Sequence, residues 1–118
     1  MAREYGTVAY DEVLANRIRE LVAGEPGLSE QKMFGGLAFL ISGNMAVAAS
    51  GQGGLMARVD PVQSEELVAT TPACVVEMRG REMPGWLRVD IEHLRGTDDL
   101  AQWVERGTTF ARSLPPKR

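Results

Sequence analysis

Short apolar runs alternate with glycine- and asparagine-containing turns over residues 32–58, KMFGGLAFLISGNMAVAASGQGGLMAR. Runs of this kind are typical of consecutive antiparallel strands, here at residues 37–41, 45–49 and 55–59. The first run is apolar on both faces, which predicts a central strand. The next two carry small or polar residues on one face and are predicted to be half-buried. The rest of the chain is expected to pack around this meander.

Apolar residues at helical spacing predict three helices outside the meander. One stripe predicts a first helix over residues 10–23. Asp60 and Pro61 have the residue types of an N-cap and a first helical position, and they begin a short second helix. The third and longest helix is predicted to open at residues 97–99 and to stop before Pro115.

Alternating apolar residues predict a fourth strand at 74–78 and a fifth at 86–89, with a turn region between them. The predicted order is α-β-β-β-α-β-β-α, and strands joined by tight turns favour an antiparallel sheet. The sequence therefore predicts one α+β domain over residues 1–118, with a sheet of about five strands and helices mainly on one face. The polar segment 28–32 is predicted to lead into the meander, and residues 1–9 and 115–118 are expected to be flexible.

Composition narrows the class of protein. The chain has 118 residues, a net charge of -3 and one cysteine. The length supports a single domain with its own core, and a lone cysteine fits a reducing compartment. Without a signal-peptide pattern or an apolar run of membrane-spanning length, we expect a cytoplasmic protein with no membrane partner. The acidic balance argues against direct binding to nucleic acid.

The Gly35-Gly36 doublet is the most suggestive local feature. Glycine lets a backbone approach a ligand closely, but inside a strand it more often marks a bulge or bend, which is the interpretation favoured here. The doublet matches neither the Walker nor the dinucleotide-binding pattern. A small-ligand-binding protein or enzyme, with a site near this turn, Arg58 and Arg88, is the alternative function.

Cys74 and His93 are the single cysteine and histidine, so only these two could form a thiol–imidazole pair. Cys74 alternates with valines, which predicts a buried and inert thiol, whereas His93 is expected to be exposed. One cysteine and one histidine leave a zinc site two ligands short. Adjacent carboxylates at helix starts are explained by capping and the helix dipole. We therefore predict no catalytic residue, no metal site and no cofactor.

Apolar side chains offer a second use besides the core. Methionine is adaptable in shape, and an exposed apolar patch around Trp86 would mark a partner surface. An exposed sheet face or edge strand would also allow a two-fold homodimer. The methionines concerned are Met33, Met45, Met56, Met78 and Met83.

Three motifs in the meander carry a family resemblance: KMFGG before a strand, SGNM, and a third strand ending in MAR. With the later GREMPGWLRV and WVERG-FARSLPPK segments, they resemble the N-terminal domain of the TfoX/Sxy family of competence regulators over residues 10–116. The resemblance implies an α+β fold like that of secretion-chaperone-type domains. It supplies no catalytic residues.

The resemblance also implies a function. Regulators of this family activate transcription of DNA-uptake genes through contact with a cyclic-AMP-responsive activator, and they carry a second, C-terminal domain. We expect a stand-alone small member without that domain, a non-enzymatic interaction or regulatory module whose partner is a protein such as a transcription activator. The expected signature or interaction residues are Lys32, Met33, Phe34, Gly35, Gly36, Gly43, Met45, Arg58 and Trp86.

Overall fold

The computed structural model describes residues 10–33 and 35–117. Within these residues, three helices pack on one face of a six-stranded sheet. The helices are α1 (Glu12–Val22), α2 (Pro61–Thr70) and α3 (Thr97–Ser113), and Ile91–His93 form a 3-10 turn. The strands are β1 (Leu28–Met33), β2 (Gly36–Ile41), β3 (Asn44–Ala49), β4 (Leu55–Arg58), β5 (Cys74–Met78) and β6 (Arg81–Val89).

All neighbouring strands are antiparallel, in the order β1-β2-β3-β4-β6-β5. After β4 the chain leaves the sheet and forms α2. It then returns through β5 and β6. Because β6 pairs with β4, β5 lies at the edge of the sheet. The predicted α+β class and antiparallel sheet are confirmed. Of the helices that the structure describes, none has the length and apolar character needed to cross a bilayer.

The sheet has one strand more than predicted. Residues 28–32 were expected to be a polar lead-in, but they form β1 at the edge of the sheet. The four residues from Ser29 to Lys32 are exposed. Polar and charged side chains are usual on an edge strand, where they discourage pairing with another chain. The apolar alternation on which the prediction rested is therefore missing from β1.

The last strand is also longer than predicted. β6 begins at Arg81, so the turn after β5 is reduced to Arg79 and Gly80, both with positive φ. Gly85 lies inside β6 at an irregularity in the pairing with β5, where its φ is +88°. A Cβ at this position would lie 2.8 Å from the carbonyl oxygen of Val59, so glycine is required by the close approach of two backbones.

The main core lies between the helices and one face of the sheet. Its largest fully buried side chains include Phe39 from β2, Leu55 from β4 and Leu87 from β6, packed with Leu14 and Ile18 of α1. The central position predicted for β2 is confirmed, with all of its residues buried. β3 is buried on both faces as well, and the prediction that it is half-buried was wrong.

Two of the helices begin after an aspartate cap: the cap at Asp60 was predicted, whereas α1 was predicted to begin at residue 10 and begins instead after a cap at Asp11. The Asp11 carboxylate accepts a hydrogen bond from the Leu14 amide at 3.1 Å, and α1 begins at the next residue. The Asp60 carboxylate accepts from the Val62 amide at 3.0 Å, with Pro61 at the first helical position. Such caps satisfy amides that have no partner within the helix, which makes these boundaries predictable.

Two bidentate ion pairs connect helices to the rest of the domain. Arg19 of α1 donates to both carboxylate oxygens of Glu30 at 2.6 and 2.9 Å, and Arg112 of α3 donates to both oxygens of Glu25 at 3.0 Å. Hydrogen bonds from these arginines hold the pKa of Glu25 and of Glu30 below the usual 4.5. The folded state therefore binds fewer protons than the unfolded state as the pH falls through this region.

The pairs thus stabilise the fold above about pH 4.5, and that stabilisation is lost as the pH falls toward the lowered pKa values. We expect the double variant Glu25→Gln/Glu30→Gln to lose less stability than the wild type between about pH 5 and pH 3. Urea denaturation at each pH measures the difference. Glu65→Gln, on the exposed surface of α2 and outside both ion pairs, is the control for the loss of a carboxylate. An unchanged slope in the double variant would contradict the prediction.

Candidate functional site

On one face of the sheet no helix packs within residues 10–33 and 35–117, and this face holds an apolar groove of about 280 Å³, here called the methionine groove. The face curves, since Met33 at one edge of the sheet and Met78 at the other line the same groove. Five of the six methionines contribute to it, together with Trp86. They are Met33, Met45, Met56, Met78 and Met83.

Strand pairing places these side chains on one face. Met56 of β4 lies opposite Ala48 of β3, and the alternation of side chains along β4 then puts Arg58 on the same face as Met56. A β-bulge decides the position of Met45. The pairing of β2 with β3 shifts by one residue after Phe39, so Met45 rather than Ala46 lies opposite Leu40. Because a shift of one residue exchanges the two faces of a strand, the bulge brings Met45 into the groove.

The packing below the groove is formed by strands alone within the described residues. Ala38, Leu40, Met45 and Ala48 are buried there, and Met33, Met56 and Trp86 pack against them half-buried. At the rim, 42% of Met78 is exposed. In the described part of the chain the groove is therefore an open apolar surface, separate from the main core.

Two arginines flank the groove. Arg58 lies opposite Trp86, and its Cζ is 4.9 Å from the Trp86 ring and 5.5 Å from the Phe110 ring of α3. These distances allow cation–π contact with both rings. Arg88 lies opposite Met56, and its Nη1 donates to Oε1 of Gln52 at 2.8 Å. Arg88 Nε is buried and has no hydrogen-bond partner among residues 10–33 and 35–117.

Only some of the expected signature or interaction residues lie at the methionine groove. Met33, Gly36, Met45 and Trp86 line the groove, and Arg58 contacts it through Trp86. Lys32 is exposed on the opposite face of β1, since it pairs with the core residue Leu37. Phe34 lies outside the described residues.

The glycines of the signature are placed at turns. The pairing of Met33 with Gly36 puts the doublet at the turn between β1 and β2, where Gly35 has a φ of +78°. A Cβ on Gly36 would overlap the carbonyl oxygen of Ala49. Gly43, with a φ of +85°, forms the next turn, and a Cβ there would lie 2.7 Å from the Cβ of Lys117. Gly36 thus belongs to the groove and Gly43 to the contact with the end of the chain.

The predicted burial of Cys74 was wrong. Cys74 is exposed because β5 is an edge strand, which leaves its first residues open to solvent. It lines a cavity with Arg88 and Asp90, whereas the exposed His93 lines another one. The structure thus gives no support to a thiol–imidazole pair. Among the described residues, no group of three histidine, cysteine or carboxylate side chains could hold a metal ion.

The sequence contained a signal for one groove residue, Val76, that the prediction of the interaction surface did not use. Val76 alternates with Cys74 and Met78 along the strand, so the period-2 pattern could have placed it on the face of the methionines. Phe110, whose ring centroid is 5.5 Å from Cζ of Arg58, had no such signal. Its contact with Arg58 joins α3 to β4 through two residues that are 52 positions apart in the chain.

As far as the structure describes the chain, the fold and the groove define a small α+β domain with one sheet face closed by helices and the other open. Residues 20–111 match the family described as TfoX N-terminal domain. That match covers well over half of the 118 residues, so the chain belongs to the TfoX N-terminal domain family, and the resemblance found in its motifs is confirmed. No curated protein matches the chain.

Proposed function

We propose that this protein is a non-enzymatic interaction module that binds a protein partner in the methionine groove. The observation that carries the proposal is the open apolar face itself, with five methionines and a tryptophan on a sheet whose other face already holds the core. Contiguous exposed apolar surface on a soluble domain marks interaction sites. Methionine favours such surfaces because its flexible thioether adapts to different partners.

The dimensions of the groove favour a segment of another protein. Small-molecule pockets enclose most of their ligand and measure roughly 300–1,000 Å³. The methionine groove, at about 280 Å³, is at the lower end of this range, and it opens to solvent at Met78. A groove of this size accepts a few large side chains while the rest of the partner stays outside.

Family membership supports a regulatory role. The TfoX N-terminal domain family indicates a module like those of competence regulators. In such a role the protein acts in the cytoplasm by contacting another regulator, for which a transcription activator is the proposed type. Binding, with no chemical step, is sufficient for this activity.

A charge at the rim of the groove tests the proposal. We expect Met78→Glu to abolish capture of the partner from a lysate, because a carboxylate would have to be desolvated against the apolar face. Val62→Glu is the matched control, since Val62 is 87% exposed on α2 and lies outside the groove. Both positions are exposed, so neither variant buries a charge in the folded protein.

Quantitative mass spectrometry compares the proteins that are crosslinked to and captured by the wild type, Met78→Glu and Val62→Glu. A partner retained by the wild type and by Val62→Glu but lost from Met78→Glu would support the groove as its binding site. Captured proteins that are indifferent to Met78→Glu would contradict it. Circular dichroism and thermal unfolding of each variant establish that the fold is intact.

A further inference from the structure

We infer that the partner segment is acidic as well as apolar, with large apolar side chains in the methionine groove and carboxylates bound to Arg58 and Arg88. This inference rests on the proposed function and adds the chemistry of the partner. It comes from the way charge is divided between the two faces of the sheet.

The acidic residues of the strands lie on the helix side. The six strands contain only Glu30, Glu77 and Glu82. Glu30 lies opposite the core residue Phe39, and Glu82 lines a cavity with Ser64 of α2. Glu77 lies opposite Glu82 and so shares its face.

The groove side has the opposite character. Arg58 and Arg88 are on this side by their pairing with Trp86 and Met56. The chain as a whole is acidic, with 16 aspartates and glutamates against 13 lysines and arginines. A face with cations and without strand carboxylates therefore departs from the average of the molecule, and it is complementary to an anionic partner.

Arg58 has the geometry of a carboxylate receptor. Its guanidinium lies over the rings of Trp86 and Phe110, and no hydrogen bond or ion pair engages it within the described residues. Stacking on an aromatic face holds the plane of the group and leaves its in-plane N–H donors available. Since Trp86 also lines the groove, a carboxylate bound to Arg58 would be adjacent to an apolar side chain in the groove.

Arg88 supplies a second donor. Its Nη1 is used by Gln52, but its buried Nε has no acceptor within the described residues. Glu77 and Asp90 line a separate cavity beside Arg88, and neither forms an ion pair with it within this part of the chain. The Arg88 guanidinium therefore carries a positive charge that no carboxylate within the described residues pairs with, and a partner carboxylate would pair with it through a donor other than the buried Nε.

The arrangement of the four residues fits a peptide. Arg58 and Arg88 lie on the diagonal of the β4–β6 pair, with Met56 and Trp86 on the other diagonal. Diagonal positions of a sheet are separated by about 7–8 Å. Alternate residues of an extended segment are about 6.6–6.8 Å apart, so two carboxylates two residues apart would reach both arginines. The pattern predicted for the partner is thus an extended segment in which acidic residues accompany large apolar ones.

Selection from random linear peptides displayed on phage tests the inference with the full chain as bait. We expect selected peptides to be enriched in aspartate and glutamate near methionine, leucine or aromatic residues. For the tightest peptide, synthesised with a fluorescent label, we expect Arg58→Gln to weaken binding about tenfold, which corresponds to about 1.4 kcal/mol. Arg95→Gln, an exposed arginine outside the groove, makes the same change in net charge and should leave the affinity unaltered.

Further arms separate the two proposals. Arg58→Lys, which keeps the charge but not the planar fork, should recover only part of the affinity, and added salt should weaken wild-type binding. The selected peptides could bind the wild type and Arg58→Gln equally well, fail to bind Met78→Glu, and show no enrichment in acidic residues. That result would overturn the inference and would still support the proposed function. If no selected peptide responds to Met78→Glu, both are wrong. If dodecanoate binds the groove and no selected peptide does, the face would be assigned to anionic lipid, and this result would contradict both the inference and the proposed function.

Discussion

Phe39→Ala is expected to lower the free energy of unfolding by roughly 3–5 kcal/mol, the usual cost of removing a buried aromatic side chain. Phe39 is fully buried at the centre of the helix-covered face, and its ring also contacts the guanidinium of Arg19 at 5.9 Å. Removing it would leave a cavity enclosed by α1 and the strands. Urea denaturation followed by circular dichroism measures the change.

Leu40→Ala, at the next position of β2, is the matched comparison. Leu40 is 8% exposed and packs on the groove side. The space it leaves is next to an open groove, so we expect a cost of about 2 kcal/mol, at the low end for leucine. Equal costs for the two variants would contradict the division of the sheet into a core face and an interaction face.

Gly107→Ala is expected to destabilise the protein by roughly 1–3 kcal/mol, the range for overpacking a core. Helix propensity alone gives the opposite sign, because alanine in a helix interior is better than glycine by about 1 kcal/mol. The structure decides the sign. A Cβ on Gly107 would overlap the carbonyl oxygen of Ala46 and lie 2.8 Å from Cγ1 of Val47. α3 would have to move away from β3, and the core between them would loosen.

Thr109→Ala in the same helix separates the two effects. Thr109 is exposed, so this change improves helix propensity without a new contact, and we expect neutral to slightly higher stability. Thermal unfolding of both variants gives the comparison. If Gly107→Ala were stabilising, the close packing of α3 on the β3 bulge would be wrong.

The helix-covered face of the sheet is expected to determine stability, and the groove face is expected to determine recognition. Phe39 and Gly107 belong to the face where helices close the core, and Met78 and Arg58 to the face left open. Substitutions on the first face should lower stability and affect binding only through unfolding. Substitutions of exposed residues on the second should change binding at nearly constant stability, since exposed side chains contribute little to folding.

Local signals account for the parts of the fold that were predicted correctly. α1 and α3 follow their apolar stripes, and α2 follows Asp60 and Pro61. Each of these depends on residues close together in the chain, and the meander depends on turn residues in the same way. The family was also evident from local motifs, because they lie at the turns and strands that the fold requires.

The errors concern residues whose state depends on distant neighbours. β1 has no apolar alternation and becomes a strand by pairing with β2. Cys74 has valine neighbours, but its exposure follows from the edge position of β5, which the return of β6 beside β4 creates. An edge is a property of the assembled sheet, so it could not be inferred from residues 74–78 alone.

By itself the sequence determined the class of fold, the three helices, the core of the meander and the family, because hydrophobic period, capping residues and turn residues act over a few positions. It also contained the methionines and arginines of the groove. Only the tertiary structure decided that they meet. The curvature of the sheet and the bulge that turns Met45 arise from pairing between strands, and the contacts of Arg58 with Trp86 and Phe110 join three different elements.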